Sequence, residues 1–426
     1  MSWRRSIYSA LLYGLLPVLF LRLLWRSRGN PAYRQRWRER LGILPLSFSP
    51  SSPVICLHAV SVGETMAARP LVERLLQAYP EHCLWITSTT PTGSDTVRRL
   101  FAGRVQHSYL PYDTPGAVQR FLTQLRPSLL LVMETELWPN LYAACAQQSI
   151  PLVVANARLS ERSARGYARF VGLVQETLAC IHTIAAREQQ DAARFLALGA
   201  ETGQVQVVGN IKFDLPPEMG LAEQGMALRR QWGSRPVWVA ASTHAGEEEL
   251  VLQAHQHLLG QFPELLLVLV PRHPERFAAV AGVCTQQGLP FVRRSQGGAV
   301  TAATRVLLGD SMGELRLWYA AADVAFIGGS LVDVGGHNPL EALDFSVPVM
   351  TGAHIHNFAD IHPALVAAGG AVVVDSPADL AHHLAFWLGD RDKRRAAGQS
   401  GKQFLQSQQG VVERLLGIIS SVIKKS

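Results

Sequence analysis

Carboxylate side chains follow short apolar runs at two places in the first half of the chain. Glu64 lies in the segment HAVSVGET after the run 54–57, and Glu134 lies in METELWPN after the run 128–132. A carboxylate at the end of a buried strand can accept a proton from a hydroxyl group. A purely structural explanation for Glu64 is an acid that complements the dipole of the helix it begins. Glu136 is interpreted as a helix cap, which makes Glu134 the better functional candidate.

A lysine closes the last apolar run of this half. Lys212 lies in the segment GNIKFD. The structural interpretation of Lys212 is an ion pair with Asp214. The functional interpretation is a cation that binds a phosphate or a carboxylate of a ligand.

The second half contains segments suited to an anionic ligand. Pro271 and Arg272 follow a strand and precede a helix, and an arginine beside a helix N-terminus favours an anion. The segment DSMGEL begins another helix, in which Glu314 has the capping-box spacing from Ser311. The loop STHAGEE, which contains His244, is a second candidate anion contact.

A glycine-rich loop gives the most specific nucleotide signal. In the segment GGHNPLEA, Asn338 has the position of an N-cap and Pro339 that of the first helical residue. Backbone N–H groups in such a loop can bind a phosphate, and Glu341 in the first turn can bind ribose hydroxyls.

The sequence gives no convincing metal site. The pair Asp390 and Asp392 is typical of a solvated turn, and His354 and His356 lack further ligands at a useful spacing. The five cysteines are scattered singly, which excludes a disulfide framework and favours a reducing compartment. The positive charge that a leaving group needs must then come from helix N-termini and basic side chains.

The elements that position these residues are short continuous apolar runs that alternate with helix-length segments. Such runs indicate strands buried on both faces of a parallel sheet. About six runs in each half predict an α/β protein with two Rossmann-like, doubly wound domains that face a central cleft. The expected boundaries are an N-terminal helix and basic arm at 1–40, a first domain at 41–212, a linker at 213–235 and a second domain at 236–426.

The N-terminal segment explains the basic balance of the whole chain. Residues 1–40 contain nine Arg and one acid, Glu39, so they carry +8 while the whole chain carries +7. The nearly neutral remainder argues against a nucleic-acid-binding surface. Ser6 to Leu21 is uncharged and flanked by arginines, which predicts a membrane-anchor helix that either spans the bilayer or lies in its interface. The more basic C-terminal flank places the rest of the chain in the cytoplasm.

Taken together, the motifs resemble those of the 3-deoxy-D-manno-octulosonic acid (Kdo) transferases of Gram-negative bacteria, in particular their enterobacterial branch. The segments that carry the resemblance span essentially the whole chain in the order of the family: HAVSVGET, LPYDTP, METELWPN, ANARLS, GNIKFD, STHAGEE, VPRHPERF, GDSMGEL, FIGGSL and GGHNPLEA.

The resemblance implies a metal-independent inverting glycosyltransferase of the GT-B architecture. It implies CMP-Kdo as donor, lipid IVA, the lipid A precursor, as acceptor, and no cofactor. It also implies Glu64 as general base and Glu134 and Lys212 as groups that assist the transition state. The implied donor contacts are Pro271, Arg272, Met312, Gly313, Glu314, Asn338, Pro339, Leu340 and Glu341. The expected location is the inner membrane. Two successive Kdo transfers are expected, but members of the family that add one, two or more residues share these motifs, so the sequence leaves the number open.

Two other functions remain open at this stage. A sugar-nucleotide 2-epimerase would need neither residues 1–40 nor a lipid acceptor. A non-catalytic sugar-nucleotide-binding protein at the membrane would need neither Glu64 nor Glu134. The oligomeric state is not predicted.

Overall fold

The apolar runs form two parallel sheets of seven strands each in the computed structural model, which describes residues 2–45, 52–216 and 218–424. The first sheet has the order β3-β2-β1-β4-β5-β6-β7 and the second the order β10-β11-β9-β8-β12-β13-β14. The strands are β1 Val54–His58, β2 Cys83–Ser88, β3 Gln106–Tyr109, β4 Pro127–Met133, β5 Leu152–Ala157, β6 Thr183–Ala186, β7 Val205–Val207, β8 Val237–Thr243, β9 Leu266–Pro271, β10 Phe291–Arg293, β11 Val306–Leu308, β12 Val324–Ile327, β13 Val349–Thr351 and β14 Ala371–Val373.

Helices connect the strands, as the alternation in the sequence predicts. They are α1 Trp3–Arg26, α2 Trp37–Arg40, α3 Val62–Ala78, α4 Pro91–Phe101, α5 Pro115–Leu125, α6 Pro139–Gln147, α7 Glu161–Ala168, α8 Val171–Leu178, α9 Gln189–Ala197, α10 Leu221–Trp232, α11 Glu247–Leu259, α12 Phe277–Gln286, α13 Leu315–Ala320, α14 Leu340–Asp344, α15 His362–Ala367, α16 Pro377–Gly389, α17 Arg391–Gln408 and α18 Val411–Ile423. Short 3-10 turns occur at Pro31–Arg34, Thr202–Gln204, Ile211–Phe213, Pro274–Arg276, Arg294–Gln296 and His356–Phe358.

The parallel register brings the carboxyl ends of the central strands to one edge of each sheet. In the first sheet, His58 at the end of β1 pairs with Thr87 on β2 and with Val132 on β4. Loops that leave these strands therefore start side by side. The expected α/β architecture of two doubly wound sheets is confirmed.

Both strands absent from the predicted set lie at sheet edges. These are β3, with the sequence QHSY, and β10, with the sequence FVR. An edge strand has one sheet neighbour and needs less apolar side-chain burial, so these two strands lack the continuous apolar runs by which the others were detected.

The chain divides into a first unit of residues 1–216 and 409–426 and a second unit of residues 217–408. This differs from the expected boundary, because α18 belongs to the first unit and not to the second. The apolar face of α18, which includes Val412 and Leu415, packs into the core beside β1 and α3. Both carboxylate oxygens of Asp214 accept N–H groups at the start of α18, from Gly410 at 2.8 Å and Val412 at 2.5 Å.

The basic arm after α1 packs onto the first unit instead of remaining free. The Arg36 guanidinium donates to Glu39 at 2.7 Å and to Ser94 at 2.9 Å. Arg40 is buried and lies 4.1 Å from the ring centroid of Tyr109. These arginines stabilise the fold of the first unit, so residue 40 is not a domain boundary.

Helix α1 docks on the first unit along much of its length. The Ser9 hydroxyl donates to Asn140 at 3.1 Å, and the Tyr13 hydroxyl accepts the Gly116 N–H at 3.2 Å. Further along α1, the Phe20 ring lies 5.0 Å from that of Trp37. Since consecutive helical residues turn by about 100°, Ser9, Tyr13 and Phe20 share one face of α1.

A buried carboxylate holds together the loops at the carboxyl edge of the second sheet. Glu247 is fully buried and accepts four backbone N–H groups. Its partners are His244 at 3.0 Å, Gly329 at 2.6 Å, Ser330 at 2.9 Å and Leu331 at 2.9 Å. One side chain thus joins the loop after β8 to the loop after β12, because only an ionised carboxylate offers this many acceptor sites.

We predict that Glu247→Gln destabilises the second unit by about 2–4 kcal/mol, because the amide offers fewer acceptor sites and places an N–H donor against backbone N–H groups. Scanning calorimetry should show an unfolding midpoint lowered by about 4–12 °C. Glu249→Gln, an exposed change on the same helix, is the matched control and should leave the midpoint within about 1–2 °C. Equal midpoints for the two variants would contradict a structural role for Glu247.

Candidate active site

Glu64 is held in the first turn of α3 by the loop that follows β1. Ser61 is the N-cap of α3, and its hydroxyl oxygen accepts the Glu64 N–H at 3.3 Å. The Glu64 carboxylate in turn accepts the Val60 N–H at 2.8 Å and the Ser61 hydroxyl at 3.1 Å. This reciprocal arrangement is a capping interaction, so the structural explanation of Glu64 holds. It also fixes the position of the carboxylate.

The surroundings of Glu64 favour its protonated form. Partial burial is the main cause, and the nearby carboxylates of Glu134 and Glu136 add to it; together they raise the pKa of Glu64 to about 7. The hydrogen bonds from Val60 and Ser61 oppose this shift. A carboxyl group with a pKa near neutrality is suited to accept a proton during a reaction.

Glu134 stands at the end of β4 in an unusual backbone conformation. Its φ of 58° lies in the left-handed region, and its N–H donates to the Ala155 carbonyl at 2.9 Å. Residues other than glycine adopt this conformation at a cost of about 1 kcal/mol or more, and they do so preferentially at functional sites. The turn places Glu134 near Glu64 and near Lys212, with which it interacts electrostatically.

Lys212 belongs to the 3-10 turn Ile211–Phe213. Two amide side chains fix this turn: Asn210 accepts the Lys212 N–H at 3.1 Å, and Asn156 accepts the Ile211 N–H at 3.0 Å. Burial and the positive charge of Arg187 lower the pKa of Lys212, while Glu134 acts in the opposite direction. Because Asp214 serves as the acceptor for α18, the structure favours Glu134 over Asp214 as the carboxylate that acts on Lys212.

The sequence motifs did not single out Arg187. It is buried at the end of β6 and interacts electrostatically with Glu134, Lys212 and Arg158. Its position two residues after the apolar run 181–185 was the available signal. Glu64, Glu134 and Lys212 thus lie in one electrostatic cluster of the first unit, and Arg187 adds a fourth charged group.

The second unit contains a cavity of about 250 Å³ at the carboxyl edge of its sheet. Six of the nine predicted donor contacts line it: Pro271, Arg272, Met312, Gly313, Asn338 and Glu341. Ser242, Val270, Ser311, Leu315 and His337 complete the lining. Ser242, the penultimate residue of β8, also lies in the left-handed region, with a φ of 57°.

The glycine-rich loop leads into α14, and the helix begins one residue later than the sequence predicts. The Asn338 side chain accepts the Leu340 N–H at 3.1 Å, and the helix itself begins at Leu340. Burial raises the pKa of Glu341, while Arg316 opposes that shift. Pro339 and Leu340 are buried residues of this turn that do not line the cavity; they hold Asn338 and Glu341 at its wall.

Glu314 does not line the cavity. Its carboxylate forms an ion pair with Arg294 at 2.7 Å and accepts the Ser311 hydroxyl. Helix α13 begins at Leu315, so Ser311 is not its N-cap and the predicted capping box is absent. Glu314 instead fixes the loop that carries Met312 and Gly313.

Within residues 2–45, 52–216 and 218–424, no group of three or more His, Cys, Asp or Glu side chains is arranged to hold a metal ion. His354 and His356 lie 3.5 Å and 3.8 Å from Asp333, at exposed positions.

Comparisons with known proteins cover both units. Residues 35–215 match the family model described as 3-deoxy-D-manno-octulosonic-acid transferase (kdotransferase), and residues 240–404 match the model for glycosyl transferases group 1. The chain is similar in fold to the UDP-GlcNAc 2-epimerase of Neisseria meningitidis, with a TM-score of 0.55, 15% identity, and coverage of 86% of this chain and 100% of that one.

Full-length relatives are more similar in sequence. The 3-deoxy-D-manno-octulosonic acid transferase of Haemophilus influenzae is 42% identical, over 99% of each chain. That of Bordetella pertussis is 35% identical, over 97% of this chain and 98% of its own. With the two-sheet α/β fold and the family match of the first unit, this similarity shows that the chain belongs to the 3-deoxy-D-manno-octulosonic acid transferase family of glycosyltransferases.

Proposed function

We propose that the protein transfers Kdo from CMP-Kdo to lipid IVA in lipopolysaccharide biosynthesis, and that two Kdo residues are added in succession. The observation that carries the proposal is the half-buried Glu64, which the loop after β1 fixes in place with a pKa of about 7. A non-catalytic binding protein would not need such a group, and a sugar-nucleotide 2-epimerase would need neither a lipid acceptor nor residues 1–40.

Glu64 acts as the general base. It takes the proton of an acceptor hydroxyl as that oxygen forms a bond to the anomeric carbon of Kdo. The bond between that carbon and the phosphate oxygen breaks, and CMP leaves with the electron pair. Attack from the face opposite CMP inverts the configuration. Lys212 and Glu134 assist the transition state, since a partly buried charge pair interacts more strongly with developing charge than an exposed one.

The cavity of the second unit binds the CMP part of the donor. Arg272 lies at the carboxyl end of β9 and supplies positive charge for the phosphate. Asn338 and Glu341 offer polar atoms for the ribose, and the loop of Met312 and Gly313 offers backbone groups. The charge of one phosphate can be offset by Arg272 and nearby N–H groups, so the proposed reaction needs no metal ion and no cofactor.

Helix α1 suits a membrane-bound acceptor. Its length and composition would allow it to cross a bilayer, with a mean hydropathy of 1.9 over its most apolar window. Opposite the docked face of Ser9, Tyr13 and Phe20, an exposed apolar stripe runs along the helix. The stripe consists of Trp3, Ile7, Leu11, Leu15, Val18, Leu21 and Trp25.

This two-faced arrangement supports a helix that lies in the membrane plane. A helix that docks on its own protein along several turns keeps one face away from lipid, whereas the opposite apolar face can enter the interface. The exposed Arg22, Arg26 and Arg28 then meet anionic headgroups. The proposed location is the cytoplasmic face of the inner membrane.

The direct test is mass spectrometry of lipid IVA after incubation with the purified protein and CMP-Kdo in the presence of a metal chelator. We expect the mass of two Kdo residues to be added. One added residue would correct the stoichiometry, and activity only without chelator would contradict metal independence. Unchanged lipid, with a control transferase active in the same mixture, would refute the proposed function in favour of the epimerase or binding-protein interpretation.

Glu64→Gln should lower kcat by at least about 100-fold, because the amide cannot accept the proton. The binding of CMP-Kdo should remain, since Glu64 lies in the other unit. In the unsubstituted protein, kcat should fall about tenfold per pH unit below pH 7, as Glu64 becomes protonated. Glu81→Gln, an exposed change in the same unit, is the control. A Glu64→Gln variant with full activity would remove Glu64 from the mechanism.

Paired Leu11→Lys and Val18→Lys substitutions should weaken binding to vesicles of phosphatidylethanolamine and phosphatidylglycerol by at least about tenfold, because both charges enter the apolar stripe. Vesicle flotation measures the effect. Val207→Lys replaces an exposed apolar residue elsewhere in the first unit and serves as the control. Equal flotation of all proteins would show that the stripe does not contact lipid.

A further inference from the structure

Two imidazoles meet at the wall of the cavity in the second unit. His244 follows β8 and His337 precedes α14, and their Nε2 atoms lie 2.8 Å apart. The rings are nearly parallel, with an interplanar angle of 7° and centroids 5.1 Å apart. His337 lines the cavity together with Arg272. This histidine pair, His244 and His337, is not explained by the proposed roles of the other cavity residues.

The short distance between the Nε2 atoms limits how many protons the pair can hold. One Nε2 must carry a hydrogen and donate it, while the other must accept with its lone pair. A first additional proton can enter at the Nδ1 of the donor ring without disturbing this contact. A second would place two N–H groups against each other. The pair can therefore change its charge by one unit while it keeps its geometry.

The surroundings keep the pair neutral when no anion is bound. Burial is the main cause that lowers the pKa of both histidines, and the value for His337 falls to about 4. The charged or titratable groups around the pair or on the same cavity are Arg272, His273, Arg276, Glu247 and Glu341. The carboxylate of Glu247 is engaged by four backbone N–H groups, and the His273 ring packs edge-on against His244 at 5.3 Å. The charge of Arg272 opposes protonation of the pair until an anion offsets it, whereas Arg276 is paired with the buried carboxylate of Glu248 at 2.9 Å.

The backbone of the loop after β12, which contains Gly329, keeps the pair in place. Gly329 has a φ of 68°, and a Cβ there would lie 3.0 Å from the His337 ring. The Gly329 N–H is one of the four that Glu247 accepts. Since Glu247 also accepts the His244 N–H, one carboxylate positions both sides of the pair.

We infer that His244 and His337 form an oxyanion subsite of the donor cavity, which takes up one proton when the phosphate or the sugar carboxylate of the donor binds beside Arg272. The inference rests on the proposed function, in that it takes CMP-Kdo as the donor. Its consequence is that donor affinity decreases as pH rises. By linkage, the dissociation constant increases by up to tenfold per pH unit wherever binding takes up a proton.

Isothermal titration calorimetry of the full chain in buffers of different ionisation enthalpy measures this proton uptake. The ligands are CMP-Kdo, CMP and cytidine. Uptake with both CMP-Kdo and CMP identifies the phosphate as the anion where His337→Gln removes it, because the monoester phosphate of free CMP itself titrates near pH 6. Uptake with CMP-Kdo alone identifies the sugar carboxylate. Uptake with cytidine, which carries neither anion, would overturn the inference.

His337→Gln should abolish the proton uptake and weaken CMP-Kdo binding by about tenfold near pH 6. Glutamine can still hydrogen-bond to His244 but does not titrate. His244→Gln should have the same effect and provides a second variant if one fails to fold. His257→Gln, an exposed change on α11, should leave the uptake intact.

The outcomes separate this inference from the proposed function. Normal transfer to lipid IVA without proton uptake, or with the same uptake in His337→Gln, would overturn the histidine subsite and leave the function intact. If the unsubstituted protein neither transfers Kdo nor binds CMP-Kdo, both the histidine subsite and the proposed function are overturned.

Discussion

The loops that leave the sheets carry backbone N–H groups that need acceptors, and buried or half-buried carboxylates supply several of them. Glu247 accepts four such groups in the second unit. Asp113 accepts the N–H groups of Asn140 and Leu141 at the start of α6, and Asp214 does the same for α18. An unpaired buried N–H costs about 1–3 kcal/mol, so these contacts decide which loops can exist at the sheet edges. The proposed binding and catalytic groups lie on those loops.

Three glutamates of this protein have different roles because their surroundings differ. Glu247 is fully buried, and its carboxylate is occupied by four backbone N–H donors, which makes it a structural group. Burial is the main cause that raises the pKa of Glu64 towards neutrality; two neighbouring carboxylates add to the shift, and its two hydrogen-bond donors oppose it. Glu314, paired with Arg294, holds a loop in place. The number and charge of the partners separate a proposed proton acceptor from structural acids.

The first unit combines the proposed base with the proposed membrane contact. Helix α1 uses the face of Ser9, Tyr13 and Phe20 to dock on this unit and leaves its apolar stripe exposed. The arm that follows is fixed by Arg36 and Arg40, both of which point into the unit. A lipid acceptor bound at the interface would therefore meet a unit whose orientation to the membrane is set by α1. The arginines of residues 1–40 thus form two groups: some stabilise the fold of the first unit, and others are available for the proposed contact with lipid headgroups.

The sequence alone determined the parallel α/β architecture, because strands buried on both faces must be continuous apolar runs. It also placed Glu64, Glu134, Arg272 and Asn338 in the connections that follow strands, since the carboxyl edge of a parallel sheet is where polar loops emerge. The tertiary structure alone decided that α18 returns to the first unit and that His244 meets His337. It also brought Arg187 to Lys212 and paired Glu314 with Arg294. These contacts join residues that are far apart in the chain. The spacing of neighbouring residues does not determine which distant partner a buried charge or an apolar helix face contacts.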